Sequence, residues 1–120
     1  MTMAKIRHIA LLTRDTVKLA EFYRSSFGMK EVARSGPQEE TIYLSDGYIN
    51  LAILPARGRP EGIYHFGFEV ENVKEAMQSA LEAGASKGTD SLPKDGRFAE
   101  AFVRDPVGTR VDLSELGWKA

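Results

Sequence analysis

Two stretches of the chain alternate strictly between apolar and other positions, and each carries a histidine at the same place. In residues 63–70 the aromatic positions alternate with a second set that includes His65. In residues 6–12 the aliphatic positions again alternate with a set that includes His8. A period of two is typical of a β-strand with one face in the core. The only two histidines of the chain are therefore predicted at equivalent positions, on the face away from the core.

An amphipathic helix is predicted behind each of these strands, because apolar residues recur there at helical spacing. The first helix follows Asp15 or Thr16, either of which can cap it, and runs to about Phe27. The second helix follows Asn72 and ends at Gly84. One face of each helix is expected to cover one face of a sheet.

Three strands are predicted after each helix. They are expected at residues 29–34, 41–45 and 48–54 after the first helix, and at residues 86–90, 97–104 and 109–114 after the second. Asp46-Gly47 indicates a two-residue hairpin between the second and third of these strands. The chain is therefore interpreted as one domain, residues 1–120, with two βαβββ modules. The modules cover about residues 5–54 and 63–115, and a linker rich in proline and glycine occupies residues 55–62.

The two modules match one another in their polar positions as well as in their order of elements. Asn50 and Asp112 lie in the last strand of their modules, opposite the apolar residues of that strand. An insertion at residues 92–96 of the second module accounts for the unequal spacing. Together with His8 and His65, these residues occupy one face of four strands, which indicates a lined cavity.

Composition narrows the classes of function. Apolar residues make up 42% and charged residues 28%, and the net charge of −1 arises from interspersed acids and bases, so no footprint for nucleic acid or a membrane surface is expected. The absence of cysteine excludes disulfides, thiolate ligands and a cysteine nucleophile. No apolar run approaches the roughly 20 residues of a membrane span, and no apolar signal segment precedes the first strand, so a cytoplasmic location is expected.

Four segments in this arrangement resemble the vicinal oxygen chelate superfamily: RHIALLTRD, FYRSSFGMKEV, YHFGFEVENV and RDPVGTRVDLSE. That superfamily includes glyoxalase I, extradiol dioxygenases, methylmalonyl-CoA epimerase and bleomycin-resistance proteins. The resemblance implies an α+β fold in which the two modules form a curved mixed sheet, each as a half-barrel, with the helices on the convex face.

The resemblance also implies one divalent metal ion per site, bound by His8, His65 and Asp112. Two imidazoles and one carboxylate suit Zn, Ni, Mn or Fe(II). Asn50 occupies the position of a fourth ligand, and three interpretations stay open: it binds the metal, hydrogen-bonds to a ligand, or does neither. Asp112 replaces the more usual glutamate of the family.

The activity implied by the resemblance is that of a glyoxalase-type lyase or isomerase acting on a small substrate with vicinal oxygens. Glu69 or Glu100 would move a proton near the metal, or would instead pair with Arg104 and Arg110. An extradiol-type Fe(II) dioxygenase is one alternative, and a non-catalytic protein that sequesters a small molecule or antibiotic is another. The resemblance also implies a homodimer, with or without exchange of modules. The predicted cavity wall comprises Tyr43, Tyr48, Phe98, Phe102, Arg104 and Arg110.

Overall fold

The computed structural model describes residues 3–88 and 99–120. In these residues the elements follow the predicted order, and they are β1 Lys5–Thr13, α1 Thr16–Phe27, β2 Lys30–Ser35, β3 Thr41–Ser45, β4 Asn50–Pro55, β5 Gly62–Glu69, α2 Val73–Glu82, β6 Ser86–Lys87, β7 Ala101–Arg104 and β8 Arg110–Ser114. The α+β class and the repeated βαβββ order are therefore confirmed. The insertion expected at residues 92–96 lies outside the described residues.

The chain divides into two compact units. The first, called the His8 unit below, contains His8–Tyr64 and Lys119–Ala120. The second, called the His65 unit, contains Met1–Arg7 and His65–Trp118.

In the His8 unit the strands are ordered β2-β3-β4-β1, with β1 parallel to β4 and the other pairs antiparallel. One face of this sheet packs against Ala20 of α1 through aliphatic side chains, which are Leu11, Ile42, Leu44, Leu51 and Ile53. The register places His8 opposite Asn50 on the other face. The predicted division of the two faces is confirmed.

The ends of α1 lie where the sequence predicts them. The side chain of Asp15 accepts a hydrogen bond from the Lys18 amide at 3.0 Å, which satisfies a backbone donor at the helix start. Gly28 ends the helix in the left-handed conformation, with φ of 72°, and its N–H donates to the Arg24 carbonyl. A residue with a Cβ is strained in this conformation, so the glycine ends the helix at low cost.

The His65 unit repeats the arrangement, with strand order β5-β8-β7-β6 and β5 parallel to β8. Its core joins α2 to one face of the sheet and consists of Val73, Met77, Ala101, Val103, Val111 and Leu113, with Phe66 and Phe68 packed against them. Asn72 caps α2 by accepting a hydrogen bond from the Glu75 amide at 2.9 Å. Within the described part of the chain, neither helix has the length and apolar character that a membrane span requires.

The connection between β3 and β4 differs from the prediction. Ser45 pairs with Asn50, so the loop has four residues and the predicted two-residue hairpin is wrong. The Asp46 carboxylate accepts the amides of Tyr48 at 2.8 Å and Ile49 at 2.6 Å. These bonds give the two amides partners outside the strand ladder. Tyr48 consequently lies in the loop and not in β4.

Candidate metal centre

A buried histidine and a buried aspartate lie side by side in the His65 unit. The parallel pairing of β5 with β8 sets Gly67 opposite Asp112, so His65, two residues before Gly67, faces the same side. Nε2 of His65 is 3.1 Å from Oδ2 of Asp112. The other carboxylate oxygen, Oδ1, accepts a hydrogen bond from Nε of Arg110 at 2.8 Å. The sequence identified both members of this pair.

The environment of Asp112 favours its ionised form. Burial by itself raises the pKa of this carboxyl group, but the hydrogen bond and charge of His65, followed by those of Arg110, lower the pKa below its ordinary value. The guanidinium of Arg110 lies 4.2 Å from the ring centre of Phe102, on the strand neighbouring Asp112. This stacking holds Arg110 beside the carboxylate. A metal ligand must be deprotonated, and Asp112 meets that condition near neutral pH.

In the His8 unit a buried asparagine contacts the other histidine. Nδ1 of His8 lies 3.2 Å from Oδ1 of Asn50, and the amide nitrogen of Asn50 donates to the Lys119 carbonyl at 2.9 Å. The oxygen of Asn50 is an acceptor, so the contact requires the proton of the neutral imidazole on Nδ1. In that tautomer Nε2 carries the lone pair that a metal ligand needs.

The donor set fits a divalent metal ion. His8, His65 and Asp112 are all buried, and each offers one ligand atom of a suitable kind. Imidazole nitrogen and carboxylate oxygen are the usual ligands of Zn, Ni, Mn and Fe(II).

The two candidate bases have different surroundings. Oε1 of Glu69 forms an ion pair with Nη1 of Arg7 at 2.7 Å. Oε1 of Glu100 accepts the amides of Glu115 at 2.8 Å and Leu116 at 3.4 Å. Oε2 of Glu100 is buried and has no hydrogen-bond partner in the part of the chain that the structure describes.

Among the described residues, no ion pair joins either glutamate to Arg104 or Arg110. Arg104 is exposed, and its Nη1 donates to the Gly108 carbonyl at 3.2 Å. Arg110 binds Asp112 instead, because the two residues lie two apart on β8 and face the same side.

Two of the predicted cavity-wall residues are tyrosines of the His8 unit, and their surroundings differ. Tyr43 is buried opposite Ala52, on the same face as Ala10, and its hydroxyl is 3.2 Å from Oγ of Ser35. Tyr48 lies in the β3–β4 loop and is exposed. Of the two, only Tyr43 shares the sheet face that carries His8 and Asn50.

In the His65 unit, Phe102 pairs with Asp112 across β7 and β8 and stacks on Arg110, so both predicted wall residues lie next to the aspartate. Phe98, the other predicted aromatic of this wall, lies outside the described residues.

Sequence reasoning missed one neighbour of Asp112. The ring of Trp118 lies over Gly67, where a Cβ would come within 2.6 Å of the indole. A glycine inside a strand often marks a place where another group packs closely against the backbone. Gly67, inside the alternating stretch, was the sequence signal for this contact.

Comparison with known proteins gives both a family and a fold. The glyoxalase-like domain family matches residues 8–114. A search of curated proteins gave no significant match.

Three solved structures show the likeness in fold. A hypothetical protein, BH1468 from Bacillus halodurans C-125, has a TM-score of 0.79 at 20% identity, with 99% of each chain covered. A single-residue variant of Streptomyces coelicolor methylmalonyl-CoA epimerase, in complex with 2-nitronate-propionyl-CoA, has a TM-score of 0.69 at 20% identity, covering 94% of this chain and 99% of the epimerase. A mutant of 4-hydroxymandelate synthase from Streptomyces coelicolor has a TM-score of 0.78 at 18% identity, covering 96% of this chain but only 38% of the synthase.

At these identities the solved structures establish the fold, while the family match spans both βαβββ modules and includes His8, His65 and Asp112. The chain therefore belongs to the glyoxalase-like domain family, within the vicinal oxygen chelate superfamily.

Proposed function

We propose that the protein is a divalent-metal-dependent lyase or isomerase of the glyoxalase type, acting on a small substrate with vicinal oxygens. The metal ligands are His8, His65 and Asp112. The observation that carries the proposal is the buried contact of 3.1 Å between His65 and Asp112, with the aspartate held ionised.

The role of Asn50 in this proposal is to orient His8. Its oxygen contacts the imidazole and its nitrogen donates to the Lys119 carbonyl, so both ends of the amide have partners. Metal-binding histidines commonly use their second ring nitrogen in this way, and the partner fixes the tautomer and the ring orientation. This arrangement favours a hydrogen-bonding role over a fourth ligand.

A metal ion bound by these residues would supply Lewis-acid stabilisation of an oxyanion on the substrate. The chain must then supply the group that moves a proton. We assign this role to Glu100, which directly precedes β7, the strand that pairs with the strand of Asp112. The backbone amides of Glu115 and Leu116 hold Oε1 of Glu100, and these two bonds also fix the orientation of the other carboxylate oxygen, Oε2. Glu69 is the weaker candidate because Arg7 neutralises it.

The assignment of Glu100 as a proton-transfer base favours a lyase or isomerase over an extradiol dioxygenase. Proton transfer at carbon needs a positioned base. A buried carboxylate oxygen without a hydrogen-bond partner among the described residues is suited to that task.

Metal uptake tests the ligand assignment. We expect the metal-free protein to bind one Zn²⁺, Ni²⁺ or Mn²⁺ per chain in calorimetry, and His8→Ala, His65→Ala and Asp112→Asn each to lose that binding while remaining folded by circular dichroism. Glu82→Gln, an exposed carboxylate in the same unit as Asp112, is the matched control and should bind as the wild type does. Unchanged stoichiometric binding by the His8→Ala/His65→Ala double variant would refute the assignment.

Turnover tests the reaction class. The protein reconstituted with Zn, Ni, Mn or anaerobic Fe(II) is assayed on thiol hemiacetals and on catechols, and we expect turnover of a thiol hemiacetal that Glu100→Gln abolishes. Ring cleavage that requires both oxygen and Fe(II) would show a dioxygenase instead. Tight binding of a small molecule by metal-free protein, without turnover under any metal, would show a sequestering protein.

A further inference from the structure

The indole of Trp118 lies directly against the sheet face that carries the His65–Asp112 pair. A Cβ built on Gly67 would be 2.6 Å from Cη2 and 2.9 Å from Cζ2 of Trp118, and 3.1 Å from Cβ of Asp112. The two distances to the indole are shorter than carbon atoms tolerate without moving, and the distance to Asp112 is tighter than most Cβ contacts. The indole and Asp112 therefore flank the same point on β5, and only glycine at position 67 leaves room for both.

A short C-terminal segment, residues 115–118, holds the indole there. Oγ of Ser114 accepts the Gly117 amide at 2.9 Å, and Ser114 itself is fully buried. Oε1 of Glu100 accepts the amides at the start of the segment. The carboxylate of Glu115 accepts the Val73 amide at the first turn of α2 at 2.8 Å. Hydrogen bonds to β8, to α2 and to Glu100 thus fix a segment that has no regular secondary structure.

The attachment of this segment leaves Trp118 almost completely buried, with 4% of its surface exposed, although it is the third residue from the end of the chain. A large aromatic ring with only two side-chain torsions is a rigid contact surface at low entropic cost. A rigid ring beside Asp112 is suited to limiting the size of a ligand group that binds next to this carboxylate.

We propose that Trp118, held on Gly67 by residues 115–118, is the wall of the substrate pocket on the Asp112 side and determines the size of the substrate group accepted there. The proposal rests on the proposed function, because it requires a ligand bound at His65 and Asp112. It assigns to the site a substrate whose substituent next to the vicinal oxygens is small. Replacement of Trp118 by a smaller residue admits a larger substituent.

Two chelators with the same vicinal oxygens but different substituents test the proposal. Acetohydroxamate carries a methyl group and benzohydroxamate a phenyl ring, and their dissociation constants are measured on the Co²⁺-loaded protein by the visible spectrum of Co²⁺. We expect the wild type to favour acetohydroxamate. In Trp118→Ala the ratio of the two constants should shift by roughly tenfold or more towards benzohydroxamate, as for other changes of pocket size.

Matched variants separate a pocket wall from a structural anchor. Phe27→Ala removes an exposed aromatic ring in the His8 unit and should leave the ratio unchanged. Trp118→Leu retains an apolar side chain of intermediate size, which supports folding, and should give an intermediate ratio. Because the readout is a ratio, a general loss of metal affinity does not change it.

Gly67→Ala provides a readout that needs no metal. Trp118 is the only tryptophan, so its fluorescence reports this position alone. We expect the added methyl group to displace the indole and to increase its quenching by acrylamide. Gly58→Asn, at a glycine where a Cβ would contact nothing within 4 Å, should not do so.

The outcomes distinguish this proposal from the proposed function. If Co²⁺ binds as expected but folded Trp118→Ala and Trp118→Leu keep the wild-type ratio, Trp118 is not a pocket wall and the metal assignment stands. The same conclusion follows if Gly67→Ala leaves acrylamide quenching unchanged. If no metal binds to His65 and Asp112, both proposals are wrong.

Discussion

Asn50 illustrates at the scale of a single residue how a buried amide serves two partners. Its oxygen can only accept and its nitrogen can only donate, and the structure gives each end a fitting partner, the His8 imidazole and the Lys119 carbonyl. Removing the side chain would take this contact away from the buried His8, and losing a hydrogen bond in a buried place costs about 1–3 kcal/mol. Because this contact orients the His8 imidazole, its loss should also weaken metal binding.

We predict that Asn50→Ala lowers the affinity for Zn²⁺ by roughly 10- to 100-fold while the stoichiometry stays at one ion per chain, as is typical when the hydrogen-bond partner of a metal ligand is lost. Calorimetry on the metal-free protein measures both quantities. Asn72→Ala, which removes the cap of α2 and has no contact with His8, is the control and should leave the affinity unchanged. If Asn50→Ala binds Zn²⁺ with unaltered affinity, Asn50 does not orient His8 for metal binding.

The sequence predicted which residues share a face, but it did not predict most of their partners. Strand periodicity placed His8, Asn50, His65 and Asp112 correctly because side chains alternate whenever a strand forms. The ion pair between Arg7 and Glu69 joins residues 62 apart in sequence. Such a pair depends on strand register and side-chain rotamers, which alternation alone does not determine. The contact between Trp118 and Gly67 is equally non-local.

Local chemistry made the helices predictable and the β3–β4 loop less so. Asp15, Gly28 and Asn72 act on their immediate neighbours, so their roles follow from a few residues of sequence. Asp46-Gly47 has two possible uses: as the two central residues of a tight hairpin, or as an aspartate that binds amides further along the loop. Its side chain accepts two amides here, and this choice depends on strand pairing outside the dipeptide.

The Asp46 carboxylate should make the stability of the protein depend on pH. Its bonds to the Ile49 and Tyr48 amides lower its pKa below the ordinary value. The ionised group therefore stabilises the fold above the unfolded-state pKa of about 3.9, and this contribution is lost as the pH falls through the lower folded-state pKa. We predict that Asp46→Asn has a lower urea midpoint than the wild type at pH 7, and that the difference shrinks as the pH falls below about 4. A difference that does not depend on pH would show that the charge of Asp46 does not contribute.

At the scale of the whole molecule the repetition of one module was the most predictable feature. Each βαβββ module specifies its own four strands and its own core, and the same periodicities occur twice. The family match across residues 8–114 agrees with this organisation. The sequence pattern predicts the core of each unit. It does not predict what covers the apolar side chains that remain exposed.

We predict that the protein is a homodimer. In the described residues, β2 lies at the end of the strand order and pairs with β3, so its outer edge offers backbone groups for pairing. Several large apolar side chains are exposed, among them Phe27, Ile63 and Val107, at 69%, 80% and 87%. Closed symmetric dimers are the commonest homo-oligomers, and a second copy of the chain would cover such surface. Light scattering on protein eluting from a sizing column should give twice the chain mass of 13.3 kDa at micromolar concentration. A mass equal to one chain under those conditions would count decisively against the dimer.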